Sequence, residues 1–594
     1  YDRGAVKGYD VLNITGVDFL GRVINTAEAR DDSKTVGIFY NAALGFHDTS
    51  GIYDISKILA EYGSQAEEVL FFSDNAISPA GAYHYAAEPL YGYYKSADSY
   101  IAKKHVELFT AAGIDYIVLD VTNGWTYPAA AGNLLKYIVE LRGQGWDAPQ
   151  VVYYAHSLNN KTVRELYSSM YSNPDYEEAW YKVDGKPVII AYTDTEKDKA
   201  EAATRGVTDF SSSDYDPLSQ EILDYFYFVE PRWPNDTMAS LIGTPIYDPD
   251  KKTGYAWIEW TQPLPVRDTS LGSYMNVSVA SHPAIPFSFS ITHGAQNWSR
   301  AYNPVLGMDS KNGVMEGTYF QACWDQVLET MPDTIMLVSW NMWTVLKLPY
   351  QNGEYMYVDT VTLEYSLSIE MARGAYEDNY YMQSAENIRN YKFTGEAPAR
   401  EPQTIDINGS YAQWYITEGV YRQIGQDAYR RMSSSVDGSI TYRTTLPENN
   451  IQEIRVAHDD NNIYFMLRTE DDISAREEGN LSWMNLFIGA GEPALEGWEG
   501  YEYVLNRSGS DTATDIVKLN ADFTGEVVGQ AEMKIDGNRM FISVPRNLIG
   551  MENETQFYFK AADSVAVPDD IMEYYVSGSV MPMGRLSYEY KMAS

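Results

Sequence analysis

Short apolar runs recur through the first 350 residues and alternate with segments whose apolar positions have helical spacing. Runs of about four to eight apolar residues are typical of buried strands in a parallel sheet. The strand candidates are residues 35–40, 116–120, 150–155, 187–192, 225–230, 255–259, 287–292 and 334–340. The seventh assignment stays open, because residues 277–280 compete with 287–292 for the same place.

Helical spacing is found between these runs, at residues 99–112, 131–143, 161–172 and 317–331. Gly113 and Gly143 stand where helices would end. Alternating strands and helices predict an α/β domain, and eight strands predict a (β/α)8 barrel over residues 35–394, with its chemistry at the carboxyl ends of the strands. The long, aromatic first connection, residues 41–98, is expected to be functional.

The pattern changes after Tyr391. Residues 395–404 carry two prolines and no periodicity, which indicates a linker. Short alternating runs follow, separated by turn signals such as Asp536-Gly-Asn538, and predict an all-β sandwich over residues 405–594. Residues 1–34 are interpreted as an N-terminal extension. We expect the barrel and the sandwich to be separately foldable.

Charge and composition narrow the range of partners. The formal net charge of −39 disfavours a phosphate backbone, so nucleic acid is not an expected partner. No apolar run is long enough to cross a membrane. A single cysteine, Cys323, excludes an internal disulfide and a cysteine-based zinc site. The start at Tyr1 is consistent with removal of a signal peptide or with a chosen boundary.

Aromatic residues suit two interpretations. The chain has 50 tyrosines and 13 tryptophans, and such amphipathic rings stack on sugar faces while their polar ends form hydrogen bonds. Tyrosines also replace phenylalanine in ordinary cores.

Carboxylates at predicted strand ends are the candidate catalytic groups. Glycoside cleavage needs one protonated and one ionised carboxyl group. Glu230 and Glu259 end adjacent predicted strands after apolar runs, which predicts half-buried carboxyls of raised pKa, and Asp120 ends the second strand. The alternative for each is a helix cap or an ion pair.

Other polar and aromatic residues near strand ends are candidates for substrate binding. They are Glu88, Trp125, His156, Asp194, Trp233, Trp260, His293, Trp298, Trp340 and Asn341. Metal ligation by His156, Asp194 and His293 has no support from a spaced motif, so no metal is predicted. Neither a phosphate-binding glycine loop nor a GxSxG elbow is present, which argues against nucleotide-dependent and serine-hydrolase chemistry.

Residues 36–394 resemble the endo-α-mannosidase and α-1,3-glucanase families of glycoside hydrolases, which adopt a (β/α)8 barrel. The resemblance rests on Val36-Gly-Ile-Phe-Tyr40, Glu88-Pro-Leu-Tyr-Gly-Tyr-Tyr94, Asp120-Val-Thr-Asn-Gly124, Ser339-Trp-Asn-Met-Trp343 and Asp378-Asn-Tyr-Tyr-Met-Gln383. In the endo-α-mannosidase group, the last strand carries two glutamates implicated in catalysis. Met342 and Val345 occupy those places here, so that mechanism does not transfer by motif.

The C-terminal part resembles sandwich modules related to carbohydrate-binding family nine. The resemblance rests on Val456-Ala-His-Asp-Asp-Asn-Asn-Ile-Tyr-Phe465 and Trp498-Glu-Gly-Tyr-Glu-Tyr-Val504. It implies either sugar binding or a structural role, and the structural role is favoured slightly. A structural calcium at Asp459, Asp460, Asp471 and Asp472 is an expectation from the same likeness, although adjacent acids in turns are usually solvated.

Together these features predict a secreted bacterial glycoside hydrolase, extracellular or at the cell surface, monomeric and without a redox cofactor. Its partner would be a glycan or polysaccharide. The rival hypothesis is a non-catalytic glycan-binding protein on a degenerate barrel. A polysaccharide lyase ranks below both, since few basic residues fall at predicted strand ends.

Overall fold

The computed structural model describes residues 11–233, 253–425 and 428–593. Its N-terminal part is built on a nine-stranded sheet whose parallel strands correspond to most of the predicted runs. In chain order these strands are β1 (Thr35–Tyr40), β2 (Tyr116–Val121), β3 (Gln150–Ala155), β4 (Lys186–Ile190), β5 (Tyr227–Val229), β6 (Tyr255–Ala256), β7 (Gly272–Ser278) and β8 (Thr334–Val338). All of them except β6 belong to this sheet, in the order β5-β4-β3-β2-β1-β8-β7.

The seventh strand corrects one prediction. β7 pairs in parallel with β8 over Tyr274–Ser278, and it overlaps the competing candidate at 277–280. The stretch predicted at 287–292 contains a helical turn, Phe289–Thr292. Buried residues explain the outcome, because Tyr274, Met275 and Val277 are almost completely enclosed and supply the apolar strand face.

In the described part of the chain, β6 and β7 are connected by side-chain hydrogen bonds and not by backbone pairing. β6 pairs in parallel with Pro231–Arg232, and across the described residues no backbone ladder connects it to β7. Asn276 on β7 donates from Nδ2 to the Trp257 carbonyl at 2.8 Å, and the Tyr274 hydroxyl donates to the Ala256 carbonyl at 2.5 Å. The predicted closure into a barrel is therefore not shown by strand pairing alone.

Helices lie between the strands much as the apolar spacing predicts. They are α1 (Ile55–Tyr62), α2 (Ser99–Ala112), α3 (Pro128–Gly143), α4 (Asn159–Leu166), α5 (Thr195–Thr204), α6 (Gln220–Tyr225), α7 (Phe289–Thr292), α8 (Gly313–Glu316), α9 (Thr318–Thr330) and α10 (Asn379–Lys392). The predicted bounds of α2 are confirmed, and they follow from local chemistry. Asp98 caps its first turn by accepting from the Tyr100 amide, and Gly113 ends it at a φ of 82°.

The long first connection, residues 41–98, is tied to the carboxyl edge of the sheet. Within it, Tyr83–Tyr85 pairs antiparallel with Thr344–Leu346, which follows β8. The buried Lys347 ammonium donates to the Ser73 and Ser78 carbonyls, at 2.7 Å each. This connection is an ordered wall over the strand ends, because its own backbone carbonyls are bound by that cation.

The C-terminal part is one continuous antiparallel sheet, with thirteen strands among the described residues. Ile14–Val17 and Val23–Ile24 form one end of it, and the remaining strands are Gly419–Arg422, Ile451–His458, Asn462–Thr469, Asn485–Ala490, Tyr503–Gly509, Ala513–Leu519, Gly525–Asp536, Arg539–Pro545, Gln556–Asp563, Ser579–Met581 and Leu586–Lys591. The sheet folds over itself, since the Phe465 and Phe559 rings lie 5.5 Å apart although their strands are distant in the pairing order. This arrangement agrees with the predicted β-rich region.

The N-terminal extension is part of that C-terminal sheet. Ile14–Val17 pairs antiparallel with Leu586–Lys591, so the first described strand lies beside the last. One contiguous cluster of buried apolar residues runs from the parallel sheet into the antiparallel one. The two parts therefore pack against each other through a common apolar cluster, and their separate folding stays a prediction.

A buried ion pair crosses the boundary between the two parts. Asp378, at the start of α10, is fully enclosed and accepts hydrogen bonds from Arg585 Nε at 3.0 Å and from the Tyr575 hydroxyl at 2.9 Å. Only 3% of the Arg585 side chain is exposed. Each charge needs the other, because an uncompensated buried charge is costly.

We therefore expect Asp378→Ala to lower the free energy of unfolding by about 3–5 kcal/mol, since it leaves Arg585 buried without its main partner. Urea unfolding followed by circular dichroism measures this loss. Glu377→Ala is the matched control, because the neighbouring Glu377 carboxylate is 43% exposed and lies 3.5 Å from Arg585 Nη2. Equal losses in the two variants would contradict the interpretation.

Candidate active site

A cavity of about 240 Å³ opens at the carboxyl edge of the parallel strands. Asn41 follows β1, Asp120 lies near the end of β2, and Met342 follows β8, and all three line it. Its other lining residues are Ala43, His47, Asp48, Tyr83, Asn123, Tyr127, Thr344, Val345, Leu346, Leu348, Val358 and Asp359. Open α/β sheets bind ligands at this edge, where the strand ends and their loops converge.

Asp120 is the sequence-predicted carboxylate that lies in this cavity. Its Oδ1 accepts from the Thr122 amide at 3.0 Å and from the Thr122 hydroxyl at 2.7 Å. Burial raises the pKa of Asp120, these two hydrogen bonds act in the opposite direction, and the negative charge of Asp359 raises it further. The raised pKa makes the protonated form of this carboxyl group more accessible than that of a solvated aspartate.

Asp359, like Asp48, is a further carboxylate of the cavity that sequence reasoning missed. It lies in the irregular segment after β8, and its side chain is 41% exposed. His282 Nε2 lies 2.9 Å from its Oδ1. The only local signal is the apolar pair Tyr357-Val358 directly before it, which is too short to predict a strand end.

Aromatic side chains form one rim of the cavity. His47 lies 5.5 Å from Trp125 and 5.9 Å from Tyr127 between ring centres, and its ring is stacked with Tyr83. Trp125, one of the predicted substrate-binding residues, is 60% exposed. An exposed indole beside a polar cavity is a suitable platform for a sugar ring.

Glu230 and Glu259 do not meet in this cavity. Glu259 is buried and accepts from two of the three side-chain nitrogens of Arg267, Nε and Nη2, with Nη2 at 2.7 Å from Oε2. Glu230 forms an ion pair with Lys197 and lines a different cavity, of about 450 Å³, together with Asp194. The structure therefore does not support the predicted catalytic pairing of these two glutamates.

Several predicted substrate-binding residues are engaged in the scaffold. Trp340 and Asn341 are almost completely buried, and Asn341 Oδ1 accepts from the Asn41 amide at 2.8 Å. Asp194 caps α5 by accepting from the Glu196 amide. Trp260 donates from Nε1 to His282 Nδ1 at 2.9 Å. For these four residues the structural alternative has direct support.

The remaining candidates lie apart from the cavity lining. Glu88 forms an ion pair with Lys57 at 2.6 Å, and His293 lies 2.9 Å from Glu354. The His156 ring is stacked with Trp233 at 4.2 Å, and the Trp298 ring is stacked with Tyr302 at 6.0 Å. These contacts neither require nor assign sugar binding.

The described residues contain no group of three or more histidine, cysteine or acidic side chains able to hold a metal ion. In the C-terminal sheet, Asp459 closes a turn by accepting from the Asn461 and Asn462 amides at 2.9 Å, and structural calcium there stays a prediction. Across the same residues, no helix has the length and apolar character needed to cross a membrane.

Comparison with known proteins gives a limited likeness. No protein-family model and no curated protein matches this chain. Two structures of GH99 endo-α-mannosidase from Bacteroides thetaiotaomicron each cover 61% of this chain at a TM-score of 0.31. The first has 13% sequence identity and is covered over 97% of its own length. The second has 14% sequence identity and is covered over 98% of its own length. A glycoside hydrolase-like protein is 12% identical at a TM-score of 0.25, covering 61% of this chain and 96% of its own. The likeness concerns the fold and assigns neither family nor substrate.

His84 beside the cavity should make stability depend on pH. It is buried, Ser78 Oγ lies 2.8 Å from its Nε2, and burial lowers its pKa to about 4. Because an unfolded histidine binds its proton near pH 6.5, the unfolded state holds more protons between about pH 4 and 6.5, and stability falls as the pH drops through that window.

We expect His84→Gln to reduce this acid-side loss by up to about 3 kcal/mol, the equivalent of the lowered pKa. Urea unfolding at pH 7.0 and at a series of lower values measures the slope. His293→Gln is the control, because it removes an imidazole that is 39% exposed. An unchanged slope in His84→Gln would show that His84 does not carry this dependence.

Proposed function

We propose that this protein is a glycoside hydrolase that cleaves a glycosidic bond in a complex glycan or polysaccharide through paired carboxylates, Asp120 and Asp359. The observation that carries the proposal is their position on one cavity at the strand ends. Among the described residues, the hydrogen bonds to both carboxylates reach Oδ1 alone. Each therefore keeps Oδ2 for a substrate.

The two environments favour different roles. Burial and the neighbouring negative charge raise the pKa of Asp120, so it is the proposed acid that protonates the leaving oxygen. Asp359 is more exposed and is bonded to His282, so it is the proposed base or nucleophile on the other side of the bond. Glycoside hydrolysis requires this division of labour between two carboxyl groups.

The negative charge of the cavity wall restricts the class of substrate that the cavity could bind. Asp48, Asp120 and Asp359 line it, and its described lining residues include no lysine or arginine. A uronic, sialic or sulfated sugar would meet like charge without a compensating cation. The proposed substrate is therefore a neutral glycan, and Trp125 is its proposed stacking platform.

A second candidate function has its own supporting observation. Met342 and Val345, which replace the glutamates of the resembling family, both line the cavity. A thioether and an isopropyl group neither accept nor donate a proton, and they pack well against a sugar face. A non-catalytic glycan-binding protein is the alternative that this apolar pair favours.

The broader setting is part of the same proposal. We place the cavity at the mouth of a (β/α)8 barrel whose wall is completed by the side-chain bonds between β6 and β7. The C-terminal sheet is proposed to be a carbohydrate-binding-module-like domain with a structural role. An extracellular or cell-surface location is part of the proposal, because it suits a complex glycan or polysaccharide as substrate.

Asp120→Asn and Asp359→Asn should each lower turnover by about 100- to 10,000-fold, because each removes a proton-transfer or nucleophilic group while keeping the shape of the side chain. Reducing-sugar release from mucin, N-glycan, fungal and plant polysaccharides measures it. Glu230→Gln is the matched control, since it removes a carboxylate at another strand end, where the side chain is 45% exposed. Near-parental turnover in both aspartate variants would contradict the proposed pair.

The same panel separates the two candidate functions. Release by the parent protein would exclude the non-catalytic alternative. Binding without release, combined with a gain of activity in Met342→Glu, would favour a barrel that has lost its carboxylate. Release by Met342→Glu would have to exceed the parent's on the same glycan to count as a gain.

Trp125→Ala should raise KM for the cleaved glycan by about 10-fold or more while leaving kcat within about twofold, because a platform remote from the bond contributes uniform binding. Steady-state kinetics on that glycan measure both constants. Trp298→Ala is a suitable control, since the Trp298 ring packs on Tyr302 and Tyr319, whereas the Trp125 ring packs on His47 of the cavity lining. An unchanged KM would remove Trp125 from the substrate site.

A further inference from the structure

We propose that His282 is a neutral positioning residue that holds Asp359, and that Trp260 fixes its tautomer. The inference rests on the proposed function for its catalytic meaning, but its structural content can be tested alone. It gives Trp260 a role different from sugar stacking.

The hydrogen-bond directions follow from the chemistry of the groups. An indole N–H is a donor only, so the 2.9 Å contact from Trp260 Nε1 requires a lone pair on His282 Nδ1. A neutral imidazole that accepts at Nδ1 carries its proton on Nε2. That N–H therefore donates to Asp359 Oδ1, at 2.9 Å. An imidazolium would have to give up the bond from Trp260.

The imidazole has little freedom to move. It is fully buried, and its ring centre lies 4.8 Å from Phe287 and 5.4 Å from Trp260. The preceding residue, Ser281, exchanges backbone hydrogen bonds with Trp298 at 2.9 and 2.8 Å, and its hydroxyl donates to the Glu259 carbonyl at 2.7 Å. A rigid donor of this kind can hold a partly exposed carboxylate in one orientation.

Only one oxygen of Asp359 is used by this contact. The bond from His282 engages Oδ1, and among the described residues no hydrogen bond reaches Oδ2. The other titratable groups on the cavity wall are His47, Asp48, Tyr83, Asp120 and Tyr127. Three of the wall residues are thus acidic, and a neutral donor orients Asp359 without cancelling its charge.

The first test reads the tautomer in the ligand-free protein. Magic-angle-spinning ¹⁵N spectra of ¹⁵N-histidine-labelled protein are compared between the parent and His282→Gln, so that the missing signals identify His282. The expected result is a neutral ring at pH 7 with the proton on Nε2. A proton on Nδ1, or an imidazolium, would overturn the inference whether or not any glycan is cleaved.

The second test changes the Trp260 donor. In Trp260→Phe an aromatic side chain is kept and the bond to Nδ1 is lost, so the labelled spectrum should no longer show the Nε2-protonated neutral ring alone. On a glycan that the parent cleaves, kcat should fall about 10- to 100-fold with KM within about twofold, as expected for a misplaced group. His282→Gln, whose side-chain amide can donate to Asp359, should retain more kcat than His282→Ala.

The outcomes separate the two proposals. A raised KM with parental kcat in Trp260→Phe would mean that Trp260 is a sugar platform, and it would overturn the positioning role. Absence of cleavage by the parent would count against the proposed hydrolase, and the tautomer spectra would still decide the role of His282. Thermal unfolding of each variant shows whether a loss of kcat merely reflects unfolding.

Discussion

The buried carboxylate of Glu370 is the point on which the site scaffold depends. Its side chain is fully enclosed, and it lies 2.7 Å from both the Tyr94 hydroxyl and His105 Nε2, and 2.5 Å from Trp343 Nε1. These partners come from the long first connection, from α2 and from the segment after β8. A buried carboxylate is tolerated only when its oxygens are satisfied, so all three segments must be in place together. Tyr94 extends the network by accepting from Asn341 Nδ2 at 3.2 Å, and through Asn341 the network reaches the cavity wall at Asn41.

The partner of each carboxylate decides what it can do. Glu259 is held by a buried arginine and Glu230 by a lysine, so both already have a charged partner. Asp120 and Asp359 have neutral donors instead, the Thr122 hydroxyl and amide in one case and His282 in the other. A cation stabilises the ionised form and occupies the oxygens, whereas a neutral donor fixes orientation and leaves an oxygen for chemistry. This difference, rather than position at a strand end, distinguishes the two pairs.

Local patterns predicted the elements and missed the pairings. The bounds of α2 could be predicted because Asp98 and Gly113 mark both ends within the sequence. The apolar run of β2 likewise predicted a buried strand, because the pattern lies within the strand itself. The Glu259–Arg267 pair depends on where Arg267–Thr269 turns back beside β7, and no local pattern contains that information. The pairing of Ile14–Val17 with Leu586–Lys591 joins opposite ends of the chain, so periodicity could not indicate it.

A two-stranded hairpin outside the C-terminal sheet, Met432–Ser434 paired with Thr441–Arg443, also supports the segment that forms the cavity wall. Tyr442 leaves no room for a side chain at Gly92, because an added Cβ would lie 2.4 Å from the Tyr442 ring. The Tyr442 hydroxyl accepts a hydrogen bond from the Tyr93 amide at 2.8 Å. Arg431 donates from Nε to Asp98 at 3.0 Å, directly before α2. The long first connection is therefore bound by Lys347 and Glu370 of the N-terminal part and also by residues beyond position 425. Removing the residues beyond position 425 would expose this face and leave Asp98 without its cation, which is why we interpret the C-terminal part as part of the site scaffold before any role in binding sugar.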